Sequence, residues 1–424
     1  MPVGPVADTA RGETRGMIGV WRRRLGSLAI VVCCVGGILG WVGIGGARSY
    51  TEIYMQDWIV YYAAGAAARD GLIDLLYDSR RFSDFQYEIL APWFAGPPSL
   101  HPFLYPPPYL LVLAPLSRLP FAAAYAAFIL STLAASVAAL AWRGSGKGWD
   151  WPRGAMLLFF PASLANVLTG QNAFLSAALM TGGGRLLERW QVAGGTVLGL
   201  LAYKPQLYLL VPVALAAARA WRALAASLLT AAMLAAASVA LFGWPAWLLW
   251  LDRTIGTGDP ALAAWFGDTF MRGYSLYVSA ALLGLSDGTA GLVQAAGAVA
   301  AAAAVWLAFR RPRVDEAGVA VLLAAAIVAT PHVQAYDMVL LAAAVILLWP
   351  RTEEGIGLGA FVLFGAVWLL PFFRPYNGPS GRFVVPAALA ALLGYAVVQS
   401  MRQRWQRTPS PAPLLMPSGR RKRR

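Results

Sequence analysis

The chain is 424 residues long, 59% hydrophobic and only 13% charged, with a mean hydropathy of +0.59. These values exclude an ordinary soluble globular protein and put most of the chain in lipid. The formal net charge of +14 does not read as a nucleic-acid footprint, because basic residues collect at Arg22–Arg24, Arg310–Arg313, Arg402–Arg404 and Arg420–Arg424, beside apolar segments. Clusters so placed predict cytoplasmic anchors against anionic membrane lipid, with no nucleic-acid partner.

Residues 1–24 read as a basic cytoplasmic N-terminus. The apolar run Leu25–Gly46 is long enough to span and has no prompt small-x-small cleavage site, so it reads as a retained first helix. Cys33 and Cys34 are adjacent within it and point about 100° apart on a helix, which disfavours a bridge between them.

Residues 47–105 then form a long polar and aromatic loop. It contains Tyr54-Met55-Gln56-Asp57-Trp58-Ile59-Val60-Tyr61-Tyr62, an acid near the membrane surface with few competing charges. Small and aromatic residues from Ile59 to Ala68 predict a short helix lying along the membrane, ended by Gly71. Trp58, Trp93 and Tyr109 read as an interfacial belt. Tyr105-Pro106-Pro107-Pro108 makes a rigid re-entry point, since proline fixes φ and removes donors where the chain returns to lipid.

Further apolar segments lie at about 106–119, 121–142, 154–169, 172–187, 191–204, 205–219, 222–242, 274–286, 289–309, 316–331, 336–350, 356–373 and 383–400. Cytoplasmic basic termini require an even number of crossings, and the loops Arg143–Arg153, Arg185–Arg189, Arg219–Arg222 and Arg310–Arg313 should face the same way. Both conditions hold if 106–119 and 274–286 are embedded or re-entrant, which leaves about 12 crossings. The expectation is an all-α polytopic membrane protein, with a transmembrane domain over 25–400 and a disordered basic tail over 401–424.

That parity puts the polar motifs on one extracytoplasmic face: Asp57, Gly170-Gln171-Asn172, Tyr203-Lys204-Pro205-Gln206 and Pro331-His332-Val333-Gln334-Ala335-Tyr336-Asp337, with both histidines, His101 and His332. Taken singly, each turn can be a helix break with a polar cap. A lysine interrupting an apolar stretch is costly unless it snorkels or meets an anion, so Lys204 predicts an anionic ligand. Two classes remain open, an enzyme and a transporter or flippase. The long first loop and the lack of repeated halves favour the enzyme. A catalytically silent scaffold would instead predict that Asp57 is replaceable.

The ordered motifs Asp57-x-x-x-Tyr61-Tyr62-x-x-Gly65, Leu76-Tyr77-Asp78, Tyr105-Pro106-Pro107 with Leu113-x-Pro115-Leu116, Gly170-Gln171-Asn172 and Lys204-Pro205-Gln206 resemble glycosyltransferase family 87. The resemblance runs from about Asp57 to Trp221 and continues weakly through His332. It implies a GT-C-like bundle whose extracytoplasmic first loop carries short interfacial helices. It also implies transfer of mannose or arabinofuranose, with inversion, from a polyprenyl-phosphate donor to a glycolipid or polysaccharide acceptor at a bacterial plasma membrane; the alternative is a transporter or flippase of lipid-linked sugars.

In that scheme Asp57 is the general base, and Lys204 and His332 hold the donor phosphate. Tyr61, Tyr62, His101, Tyr105, Gln171, Asn172, Gln206, Gln334, Tyr336 and Asp337 contact sugar or substrate. No Asp-x-Asp pair follows the first helix, so neither a metal nor another cofactor is expected.

Overall fold

A computed structural model describes residues 55–93, 100–144, 147–255, 260–310, 314–350 and 356–407. The expected first helix at 25–46, the basic N-terminus and the tail beyond 407 lie outside the described residues. Within them the protein is all-helical, with one isolated bridge between Trp142 and Trp149.

Among the described residues, 4 helices are long and apolar enough to cross a membrane: Phe121–Ala141, Trp221–Phe242, Asp287–Phe309 and Pro379–Arg402. Shorter apolar helices fill the rest of the bundle. The last helix continues to Arg407, past the expected boundary at 400. Residues 106–119 and 274–286 hold only Leu110–Leu116 and Leu276–Leu282 as α-helix. At 1.5 Å per residue neither reaches across about 30 Å of hydrocarbon.

The first described helix, α1 (Gln56–Arg69), is longer than expected and is buried by protein along most of its length. Trp58, Ile59, Val60, Tyr61, Ala63, Ala64, Ala66, Ala67 and Ala68 are all buried, because its alanines let it pack closely on Leu110–Leu116. Gly65 backs directly onto the carbonyl of Leu113, where no Cβ fits. Gly71, at φ +74°, ends α1: its N–H and that of Leu72 return to Ala68 and Ala67, a Schellman closure. Trp58 and Tyr109 are fully buried rather than interfacial; Trp58 stacks on Phe128 at 5.2 Å.

From there the chain shuttles between two ends of the bundle. α2 (Phe121–Ala141) leads to the 143–153 loop, and the return is broken, with a 3-10 turn before α3 (Pro161–Thr169). Pro161 fits at the first helical position, where its missing N–H costs nothing. α4 (Ala173–Leu186) descends, α5 (Gln191–Gly199) ascends through a 3-10 turn to Lys204, and α6 (Leu210–Ala217) descends to Arg219. α7 (Trp221–Phe242) rises parallel to α5: Gly195 meets Ala223 and Gly199 meets Ser227 and Thr230. Later come α8 (Asp287–Phe309), then α9 (Glu316–Ala329) and α10 (Val339–Leu348), whose apolar residues are almost wholly buried at the bundle centre. α11 (Pro379–Arg407) closes the fold.

One end gathers the basic loops. Arg153 Nε and Nη2 donate to the carbonyl of Ile346 at 2.8 and 2.6 Å, capping α10. Arg185 Nη1 donates to Ala139 at 3.0 Å, capping α2. Both arginines pair with Glu316 at the start of α9. Cations at helix C-termini meet the negative end of the dipole and satisfy orphan carbonyls. Arg153 and Arg185 are therefore buried links between helices at the end that gathers the basic loops.

Candidate active site

The motif turns meet at the other end. α3 finishes at Gly170, whose φ of +77° places it in the left-handed region. Gly170 lies against Trp58 of α1, with no room for a Cβ between them. The N–H of Met55 donates to Leu168 at 2.6 Å. This docking of α1 on the end of α3 sets Asp57 beside Gln171.

Gln171 is a bridge. Its Oε1 accepts from the Tyr61 hydroxyl, which orients its amide NH2 toward Asp57, to which the side chain is hydrogen-bonded. The Tyr61 hydroxyl lies 2.9 Å from that of Tyr105 and accepts from Asn172 Nδ2 at 3.2 Å. Lys204 Nζ donates to Asn172 Oδ1 at 3.4 Å and to Asp337 Oδ1 at 2.7 Å. One polar path thus runs from Asp57 through Gln171, Tyr61, Asn172 and Lys204 to Asp337.

Local structure explains why each group points inward. Asn166 Oδ1 accepts from the N–H of Ala173, capping α4 and fixing the Gly170-Gln171-Asn172 turn. Pro205 starts a new helical turn directly after Lys204, so the lysine sits at a break between apolar segments. Asp337 Oδ2 accepts from the N–H of Gln334 at 3.0 Å, which leaves Oδ1 for Lys204. With Lys204 and Asp337 both buried, the pair neutralises two charges that neither could leave uncompensated.

Asp57 lies in the first turn of α1, where the helix dipole favours an anion. Its carboxyl is nevertheless pushed up to about 6, above all by burial; Asp337 adds to the rise, and Gln171 and Lys204 oppose it. A carboxylate so placed is ionised at neutral pH yet basic enough to accept a proton.

Around this path stands an aromatic wall. Tyr61 packs edge-on against Tyr105 and Tyr109 at 5.4 and 5.2 Å, and Tyr109 stacks on Tyr203 at 5.0 Å. Tyr336 lies within electrostatic reach of Asp57, Asp337 and Tyr105. Such rings offer flat apolar faces beside the polar groups, as sugar rings require.

The other candidates are placed differently. Tyr62 turns outward, donating to the Leu119 carbonyl at 3.0 Å and packing on Phe121. The backbone of His101 is bonded to Gln86 and Ser83 of the Ser79–Leu90 helix. Gln334 donates to the Thr269 carbonyl, fastening the 331–337 turn rather than joining the path. Gln206 is half-buried two residues past Lys204. His332 stacks on Phe270 at 5.7 Å, and its buried Nδ1 has no hydrogen-bond partner among the described residues.

Sequence reasoning missed Ser176 and Asn166. The Ser176 hydroxyl bonds that of Tyr203 at 2.7 Å, one helical turn beyond Asn172. Asn166 carries the cap that shapes the motif turn. A polar residue four positions from Asn172 and another just before Gly170 were the available signals, each of them ambiguous alone.

Residues 103–331, more than half of the chain, match the profile of glycosyltransferase family 87. The match holds Tyr105, Gln171, Asn172 and Lys204, and stops short of Asp57 on one side and His332 and Asp337 on the other. No curated protein and no solved structure matches the chain. An all-helical chain with membrane-length apolar helices, matched over that span, belongs to glycosyltransferase family 87, and it is a membrane-embedded glycosyltransferase.

Proposed function

We propose that the protein transfers a single sugar, mannose in preference to arabinofuranose, from a polyprenyl-phosphate donor to a glycolipid or polysaccharide acceptor on the extracytoplasmic face of a bacterial plasma membrane. The observation that carries this reading is the path from Asp57 to the Lys204–Asp337 pair, at the end of the bundle opposite the basic loops. A base and a cation joined by neutral amides suit a reaction in which a proton leaves one substrate while charge builds on the other.

The acceptor hydroxyl attacks the anomeric carbon from the face opposite the phosphate. As the new C–O bond forms, the bond to the phosphate oxygen breaks, Asp57 takes the hydroxyl proton, and the polyprenyl phosphate departs with the bonding pair, inverting the centre. Lys204 and His332 face the departing phosphate; Gln171, Asn172, Tyr61 and Tyr105 hold sugar hydroxyls and ring. Reconstitution of the purified protein with a panel of polyprenyl-phosphate sugars and host lipid extract tests this. Label should move from the mannosyl donor to a lipid or polysaccharide product, and failure of every monophosphate donor with transfer from a nucleotide sugar would overturn it.

A further inference from the structure

At the basic end a groove of about 970 Å³ opens between two helix-to-helix turns, lined by Glu188, Arg189, Trp190, Arg219, Trp221 and Arg222. The helices carrying the candidate site carry this groove at their other ends: α4 runs from Asn172 to the Arg189 turn, α5 returns from there to Lys204, and α6 runs from Lys204 to Arg219. With 14 residues in α4, the two places are separated by roughly one helix length, about 21 Å.

We infer that this groove is a binding site for the phosphodiester headgroup of an anionic phospholipid in the leaflet on the basic-loop side. Three guanidinium groups border it, from turns 30 residues apart in sequence, while Glu188 brings the one acid, facing Lys147 at 3.8 Å. Arg219 is held at a φ of +51°, unusual for a residue with a side chain, and the N–H of Ala220 turns back to Leu215, so the α6–α7 connection is a fixed turn rather than a free loop. Arginine suits phosphate because its planar fork donates in pairs.

Depth selects a lipid over a soluble anion. Trp190 and Trp221 flank the groove at 45% and 62% exposure, and such rings settle at the headgroup level of a bilayer. α5 and α7, locked in parallel through Gly195 and Gly199, also present both N-terminal ends to the groove, neither with a side-chain cap. Their free backbone N–H groups add to an attraction the arginines already supply.

The test is non-denaturing mass spectrometry of the full-length protein in neutral detergent, titrated with phosphatidylglycerol, phosphatidylcholine or inorganic phosphate. Phosphatidylglycerol should bind saturably, phosphatidylcholine should not, and millimolar phosphate should not displace the lipid. Arg189→Gln/Arg219→Gln/Arg222→Gln should weaken binding about a hundredfold, at about fivefold for each basic residue near a lipid surface. Arg80→Gln/Arg81→Gln/Arg118→Gln, which removes equal charge from exposed residues elsewhere, should leave it unchanged. If the first variant does not fold, Arg222→Gln alone should show the roughly fivefold loss. Equal binding by the groove variant, equal loss in the control, or equal retention of phosphatidylcholine would overturn the site, and displacement by phosphate would overturn the lipid as its ligand.

Discussion

Gly170 is pressed against Trp58, so the turn that ends α3 and the helix that carries Asp57 meet backbone to side chain. Gly170→Ala must both enter the left-handed region and displace Trp58, whose Cα lies 3.2 Å from the Cβ site. The left-handed conformation alone costs about 1–2 kcal/mol. The variant should melt earlier, and its transfer rate per folded molecule should also fall, because Asp57 moves away from Gln171. Melting in detergent alongside single-turnover transfer separates the two effects.

Asp57→Asn should lower transfer by at least about a hundredfold while donor binding survives, as for loss of a general base. In the native enzyme the rate should rise with pH through about 6 and level off above it, since the base must be ionised. Stability should move oppositely. The folded carboxyl titrates above its ordinary value of 3.8, so between those values the folded state holds a proton that the unfolded chain has lost, and stability falls as pH rises through this window. Asp57→Asn should therefore be more stable than the native protein above pH 6, by on the order of 1–2 kcal/mol after allowing for partial solvent access. A variant that is both slower and less stable at pH 7.5 would argue for a structural role.

Lys204 and Asp337 should give a non-additive pair. Either alanine substitution leaves a buried charge alone and should cost about 3–5 kcal/mol, and the double substitution should cost less than the sum. If Lys204 also receives the donor phosphate, Asp337→Asn should tighten binding of a non-transferable polyprenyl-phosphate analogue, since the lysine no longer has a competing carboxylate, while Lys204→Ala should weaken it. Unchanged analogue affinity in both, on monodisperse protein, would leave the pair with a structural role alone.

Sidedness can be read with cysteines in a Cys33→Ser/Cys34→Ser background. Asn377 is exposed in the segment after Pro371, whose carbonyl accepts from Tyr274 beside the 331–337 turn, whereas exposed Lys147 belongs to the basic loops. Asn377→Cys should react with an impermeant maleimide added to intact cells and Lys147→Cys should not; the reverse pattern would place the candidate site on the inner face.

The division into a basic end and a motif end was legible in the sequence, because charge cannot cross lipid freely and the arginines repeat at the right spacing. Asp57, Tyr61, Tyr105, Gln171, Asn172, Lys204 and Asp337 converge as the motifs imply. What was hidden is pairing across long separations. Nothing local marks Glu316 as the partner of both Arg153 and Arg185, or Asp337 as the partner of Lys204. Trp58 and Tyr109 resembled an interfacial belt because composition cannot tell a ring at the membrane surface from one under a neighbouring helix. The simple count of crossings was obscured for a related reason: α9 and α10 are short and apolar because they are enclosed by protein on every side, where length need not match the bilayer.

The separation of 133 positions between Lys204 and Asp337 also imposes an order in time. At a synthesis rate of about 5–20 residues per second, the lysine leaves the ribosome on the order of ten seconds before its carboxylate exists. During that interval the ammonium has no counter-charge, and the nascent α5–α6 hairpin cannot settle at its final depth without a penalty of a few kcal/mol. The site end of the molecule is therefore completed late, when the 331–337 turn arrives and draws the waiting lysine in.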